Sequence, residues 1–208
     1  MTADPLNREE EKETGRIEAF SDGVFGIAVT LLILEIKIPQ LADVPGKGSL
    51  AQALARQWPA YLSYLTSFLT VLIMWVNHHR LFRHIRRSDD SFLVLNGLLL
   101  MAVTVVPFPT AVLSLWFRTP ETQTAAALYS GVFVAIAVLY NVLWGYAARR
   151  GRLLGKDHNR AEVAAITRQY RLGPLLYLIA FGLAFVSSAA SVGVCAALAI
   201  YFALPGRK

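Results

Sequence analysis

The chain has 208 residues, of which 55% are hydrophobic and 16% charged, and it carries a formal net charge of +6. These proportions, with a positive mean hydropathy, exclude a soluble globular domain and describe a chain that is almost wholly membrane-embedded. The positive charge needs no nucleic-acid partner, because loop topology accounts for it.

Residues 1–15, MTADPLNREEEKETG, are polar and rich in acid and lack the apolar core of a signal peptide. They predict a mobile cytoplasmic tail and leave insertion to the first helix. Nearly uncharged runs follow at 23–34, 58–77, 92–117, 122–148, 172–188 and 189–204. Crossing the hydrocarbon takes ~20 helical residues. The runs therefore predict an all-α membrane protein, a single domain over 16–208 with six transmembrane helices at about 16–38, 52–78, 91–117, 122–149, 170–188 and 190–205. The last two are short, but SSAASVG (187–193) suits a tight turn between two closely packed small-residue helices.

Lys and Arg orient the chain. With the N-terminus cytoplasmic, 16 of the 20 basic residues fall on that side, and only Lys37, Lys47, Arg56 and Arg118 lie outside. Both termini are then inside. Five helices would strand Arg207 and Lys208 on the outer face.

Signatures of an enzyme are missing: the sequence has no GxSxG elbow, P-loop, HExxH pair or glycine-rich dinucleotide turn. His78 and His79 are adjacent and point about 100° apart on a helix, with His84 off both faces, which makes a poor metal site. No cofactor is expected, and no metal apart from a permeating ion. Cys195, the lone cysteine, reads as a small buried apolar residue.

Asp22 raises a sharper question, because it stands at the head of the first apolar run in RIEAFSDGVFGIAVTLLILEI. A carboxylate in hydrocarbon costs ~3 kcal/mol or more, so it requires a partner. Arg16 is about 120° away around the same helix and does not serve. The second helix ends at the same face with MWVNHHRLF (74–82), which brings Trp75, Asn77, His78, His79 and Arg80 level with Arg16–Asp22. A polar knot between the two helices is expected. It either locks them together or lines or braces an ion pathway, and these roles are compatible.

Beyond Asp22, Ile27, Thr30, Leu31 and Leu34 share one helical face. In a single bundle that stripe is packing or lipid contact. In a symmetric oligomer it meets its copies around an axis and forms hydrophobic constrictions. Periodicity does not choose between the two.

Arg16, Phe20, Ser21 and Asp22, followed by WVNHHRLF and by VVPFPT (105–110), resemble the Arg-x-x-x-Phe-Ser-Asp signature and companion segments of the transmembrane protein 175 family of potassium channels. The resemblance spans nearly the whole chain. It implies a homotetramer of single six-helix repeats, with the pore built from four first helices in a prokaryotic plasma membrane. It implies constrictions at Ile27, Leu31 and Leu34, with Thr30 near the path. It also implies that Arg16, Phe20, Ser21 and Asp22, with Trp75, Asn77 and His78, brace the pore helix, so that Asp22 is an anchor and not an ion ligand.

A TVGYG-like carbonyl filter is missing from the sequence, so discrimination by apolar rings would rest on potassium shedding water more readily than sodium, which gives weak to moderate selectivity. Glu35 is a weak candidate for attracting cations at the outer mouth. Thr30 is expected to bond back to its own helix. Gly23 and Gly26 suit close packing or a hinge. Two alternatives stand beside passive potassium conduction: a proton-coupled transporter using Asp22 and His78, and a non-conducting scaffold whose loop RRGRLLGKDHNR (149–160) binds anionic lipid of the bilayer or a partner.

Overall fold

A computed structural model describes residues 5–40, 49–155 and 158–203, with side chains from Thr14 onward. The fold is all helical, and four of its segments are long and apolar enough to cross a membrane: Thr14–Glu35, Trp58–Phe82, Asp90–Trp116 and Thr122–Gly151. Expectations that rest on Lys47, Lys156, Arg207 and Lys208 lie outside the described residues.

Helix α1 (Pro5–Leu31) starts well before residue 16 and passes at its far end into a tighter 3-10 turn, Leu32–Glu35. A short α2 (Leu50–Arg56) follows. Its capping box pairs Ser49 with Gln52, satisfying two otherwise orphaned N–H groups. Helix α3 (Trp58–Phe82) opens with Pro59 in its first turn, where a missing N–H costs nothing. The second expected helix, 52–78, is therefore two pieces, and the long one runs one turn further.

The third expected helix is also broken. α4 (Asp90–Thr104) and α5 (Pro107–Trp116) meet at Val105 and Val106, which keep helical dihedrals, and the ladder is interrupted there because Pro107 and Pro109 have no N–H to donate. The hydroxyl of Thr110, directly after this break, lies 2.8 Å from Ser67 Oγ, which in turn lies 3.0 Å from the Tyr129 hydroxyl. That buried knot fastens α5 to α3 and α6.

α6 (Thr122–Ala148) forms the centre of the core, burying Tyr129, Phe133, Ile136, Leu143 and Trp144. It ends at Arg150 and Gly151, both with positive φ (57° and 68°), a left-handed stop that Gly accepts freely and Arg does not. Leu153 and Leu154 then turn back onto the α3–α4 loop, where Arg86 N–H donates to Leu153 O and Gly155 N–H to His84 O.

α7 (Arg160–Ala184) begins about ten residues earlier than expected. Its added turns carry Arg160, Glu162 and Arg168, and hydropathy alone hides such a polar extension. α8 (Ser188–Ala203) is the shorter apolar helix. The turn between them, 185–187, just precedes most of the small-residue segment expected to form it. Cys195 is buried in α8.

Candidate functional site

The first helix has two unlike faces. Ser21, Phe25, Ala28 and Leu32 are buried against the chain, whereas Ile27 (59% exposed), Leu31 (42%) and Leu34 (61%) are not. Thr30 is exposed with them, and its hydroxyl donates to the Ile27 carbonyl at 2.9 Å. The change to a 3-10 turn after Leu31 does not break the stripe. At three residues per turn, Leu34 stands over Leu31.

A continuous run of hydrogen bonds secures the buried face. His78 Nε2 donates to Asn96 Oδ1 at 2.9 Å, Asn96 Nδ2 donates to Ser21 Oγ at 2.9 Å, and Ser21 Oγ donates to Ile17 O at 2.8 Å. Each link has the donor polarity the next requires, and the run joins α3, α4 and α1 in an environment from which water is excluded. Phe25 and Phe82 pack on the His78 ring at centroid distances of 5.3 and 4.6 Å. At the edge of this knot, Trp75 Nε1 donates to Asp22 Oδ1 at 2.8 Å. One turn further toward the chain's N-terminal end, His79 Nδ1 lies 2.7 Å from Glu18 Oε1. Glu18 to Asp22 and Trp75 to His79 are both four-residue steps, so the two contacts form successive rungs between helices running in opposite directions.

Of the proposed bracing residues, Ser21, Asp22, Trp75 and His78 are thus brought to one junction. Asn77 is not part of it. Two positions from Trp75, it faces another side of α3, where its Oδ1 accepts from Arg80 Nη1 at 3.2 Å and its carbonyl from the Tyr170 hydroxyl at 3.4 Å. Arg80 also donates to Ala203 O at 3.0 Å, which satisfies an orphan carbonyl at the end of α8. Arg16 and Phe20 stand exposed on α1. Glu35 pairs at 4.0 Å with Lys37, a contact that offsets its attraction for cations at this end of the helix. A Cβ added at Gly23 or Gly26 would meet nothing within 4 Å, so neither glycine serves close packing within the chain.

Asn96 was not among the expected site residues. Its signal was its isolation: an amide in the apolar run 92–117 is costly unless paired. Glu18 carried a similar signal, being a second acid one turn before Asp22.

Comparison with known proteins places these features in context. Residues 16–107 match the family described as endosomal/lysosomal potassium channel TMEM175. A protein of Chamaesiphon minutus named a potassium channel is 57% identical over 94% of this chain and 96% of its own length. Another so named, from Streptomyces collinus, is 46% identical over 91% of each chain. The crystal structure of a lysosomal potassium-selective channel TMEM175 homologue from Chamaesiphon minutus superimposes with a TM-score of 0.86 at 55% identity, covering 95% of this chain and all of that one.

Proposed function

We propose how potassium passes this chain, which belongs to the TMEM175 potassium channel family and is a multi-pass membrane protein acting as a potassium channel. Four copies assemble around a common axis in a prokaryotic plasma membrane, each contributing α1 to the pore. α7 and α8 complete six spans, and both termini lie in the cytoplasm. Ile27, Leu31 and Leu34 form successive apolar rings, with the Thr30 hydroxyl turned back to its own helix. The observation that carries this reading is the asymmetry of α1, whose Ile27 face its own chain leaves largely open while its Ser21 face is pinned by α3 and α4.

Apolar rings select by dehydration: an ion passing Ile27 must shed water without receiving oxygen ligands in exchange, and potassium does so at lower cost than sodium. Rigid placement of the rings is what the Ser21–Asn96–His78 run and the Asp22–Trp75 bond supply. Asp22 acts as the anchor of the pore helix. The proton-relay alternative finds no support in this geometry, since Asp22 pairs with Trp75 and His78 with Asn96.

The test is ion flux from liposomes under opposed potassium and sodium gradients, comparing the native chain with Ile27→Asn. The variant is expected to conduct faster and to discriminate less. Native and variant flux that are alike in rate and selectivity would remove Ile27 from the conduction path.

A further inference from the structure

On a different face of α3 from Trp75 and His78, the chain forms a partly open cavity of about 50 Å³ among α3, α6, α7 and α8. Its walls include Met74, Ile136, Asn141, Gly173, Tyr177 and Phe202, and no lining residue is an acid, a lysine or an arginine. The lining itself therefore offers a charged ligand no counter-charge, which disfavours one. The polar groups in the wall are mostly committed. The Tyr140 hydroxyl donates to Met74 O at 2.6 Å, and Asn141 Nδ2 donates to Ala137 O and Tyr170 O at 2.9 and 2.6 Å.

Tyr177 is a hydroxyl among them that is not. It is only 5% exposed, its ring is packed between Phe133 and Phe202, and its hydroxyl has no hydrogen bond to any described residue. A hydroxyl that borders the cavity without a partner in the chain takes one from whatever fills the cavity. One water needs roughly 10–15 Å³ of such space, so the cavity has room for about three to five waters or one ligand of a few heavy atoms. Water satisfies the hydroxyl but gains nothing from the apolar wall, whereas a molecule with one hydroxyl and a short carbon chain satisfies both.

We propose that this cavity is a binding site for a small, neutral, hydroxyl-bearing amphiphile of the short aliphatic alcohol class. Its hydroxyl pairs with Tyr177 and its carbons lie against Met74, Ile136 and Phe202. The site is distinct from the pore face of α1 and does not depend on how ions pass.

Trifluoroethanol is a suitable probe, titrated against the purified full chain in detergent and followed by fluorine NMR. Native protein should give a saturable shift. Tyr177→Phe, which removes the hydroxyl and leaves the ring, should weaken binding about fivefold, the worth of one net hydrogen bond. Gly173→Ala should abolish saturation. Its added methyl would meet Phe202 and Ala137 at 3.5 and 3.8 Å, ordinary contacts that fill space without strain, and a melting curve for each variant verifies folding. Non-saturating partition that is identical in all three proteins would overturn the site. Loss of binding in Gly173→Ala with no change in Tyr177→Phe would overturn the pairing with Tyr177.

Discussion

The two faces of α1 obey different rules. Along Ser21, Phe25, Ala28 and Leu32 every contact is supplied by the same chain, and the polar atoms of Ser21 form an ordered donor series with Asn96 and His78. Along Ile27, Leu31 and Leu34 the chain's cover is only partial. The first face is thus a folding feature, complete in one subunit and governed by the cost of unpaired polar groups. The second, on the proposed reading, is completed by an assembly. Variants on the first should act on stability, and variants on the second on conduction.

The largest stability effect is expected from Asn96→Leu. This change is close in volume, but it strands the His78 Nε2 donor and removes the amide that reaches Ser21. With two buried groups affected, the loss should be about 3 kcal/mol, read as a lower melting temperature of the detergent-solubilised protein. A loss below about 0.5 kcal/mol would mean that the buried run contributes little and that apolar packing alone fixes α1. Trp75→Phe comes next. It deletes one charge-assisted hydrogen bond to Asp22 at a partly exposed position, and about 1.5 kcal/mol should go with it. Equal melting temperatures for Trp75→Phe and the native chain would show that Asp22 is solvated and not braced.

These two variants also mark how far the sequence was legible. Asp22 and the end of the second helix could be matched because a carboxylate in an apolar run demands a partner, and topology leaves few elements at its level. The identity of that partner among Trp75, Asn77, His78 and His79 was not legible, because it depends on the rotation of α3. That rotation is set by packing along the whole helix. Asn77 was misplaced for this reason. Asn96 was missed because one polar residue has no periodicity, although its cost in hydrocarbon was a usable signal. The break at 105–106 was written in Pro107 and Pro109, yet apolar continuity from Phe92 to Phe117 concealed it. The polar start of α7 was hidden by the same emphasis on hydropathy. The open stripe of α1, in contrast, was fully periodic and legible, and what it faces lies beyond a single chain.

A smaller effect tests whether the membrane-external end of the bundle follows the first rule. Asp89 caps α4 through the Phe92 N–H at 2.9 Å, accepts the Tyr146 hydroxyl at 2.9 Å and pairs with Arg152 at 3.1 Å. The Phe92 N–H foremost, then Tyr146 and Arg152, hold its carboxyl below the usual aspartate value, against an opposing effect of partial burial. A depressed pKa means stability that is present above the unfolded value of ~3.9 and is lost as pH falls through the lower folded value. Asp89→Asn keeps the cap but loses the charge, and should cost roughly 0.7 kcal/mol at pH 7. The difference in melting temperature from the native chain should shrink once pH drops below about 4. A difference that stays constant across that range would assign the effect to shape and not to charge.

Ile27→Ser should have the smallest effect on stability, and for that reason it sharpens the comparison most. Its side chain is 59% exposed within the subunit, so the subunit's own fold should change by less than about 0.5 kcal/mol. Helix propensity shifts little, because Ile and Ser rank close together. If Ile27 meets its copies at an apolar ring, the same substitution changes flux while the melting temperature of the dispersed subunit stays put. A pronounced loss of stability in that dispersed subunit would instead mean that Ile27 is covered by its own chain in the membrane. The open face of α1 would then belong to the same class as the buried one.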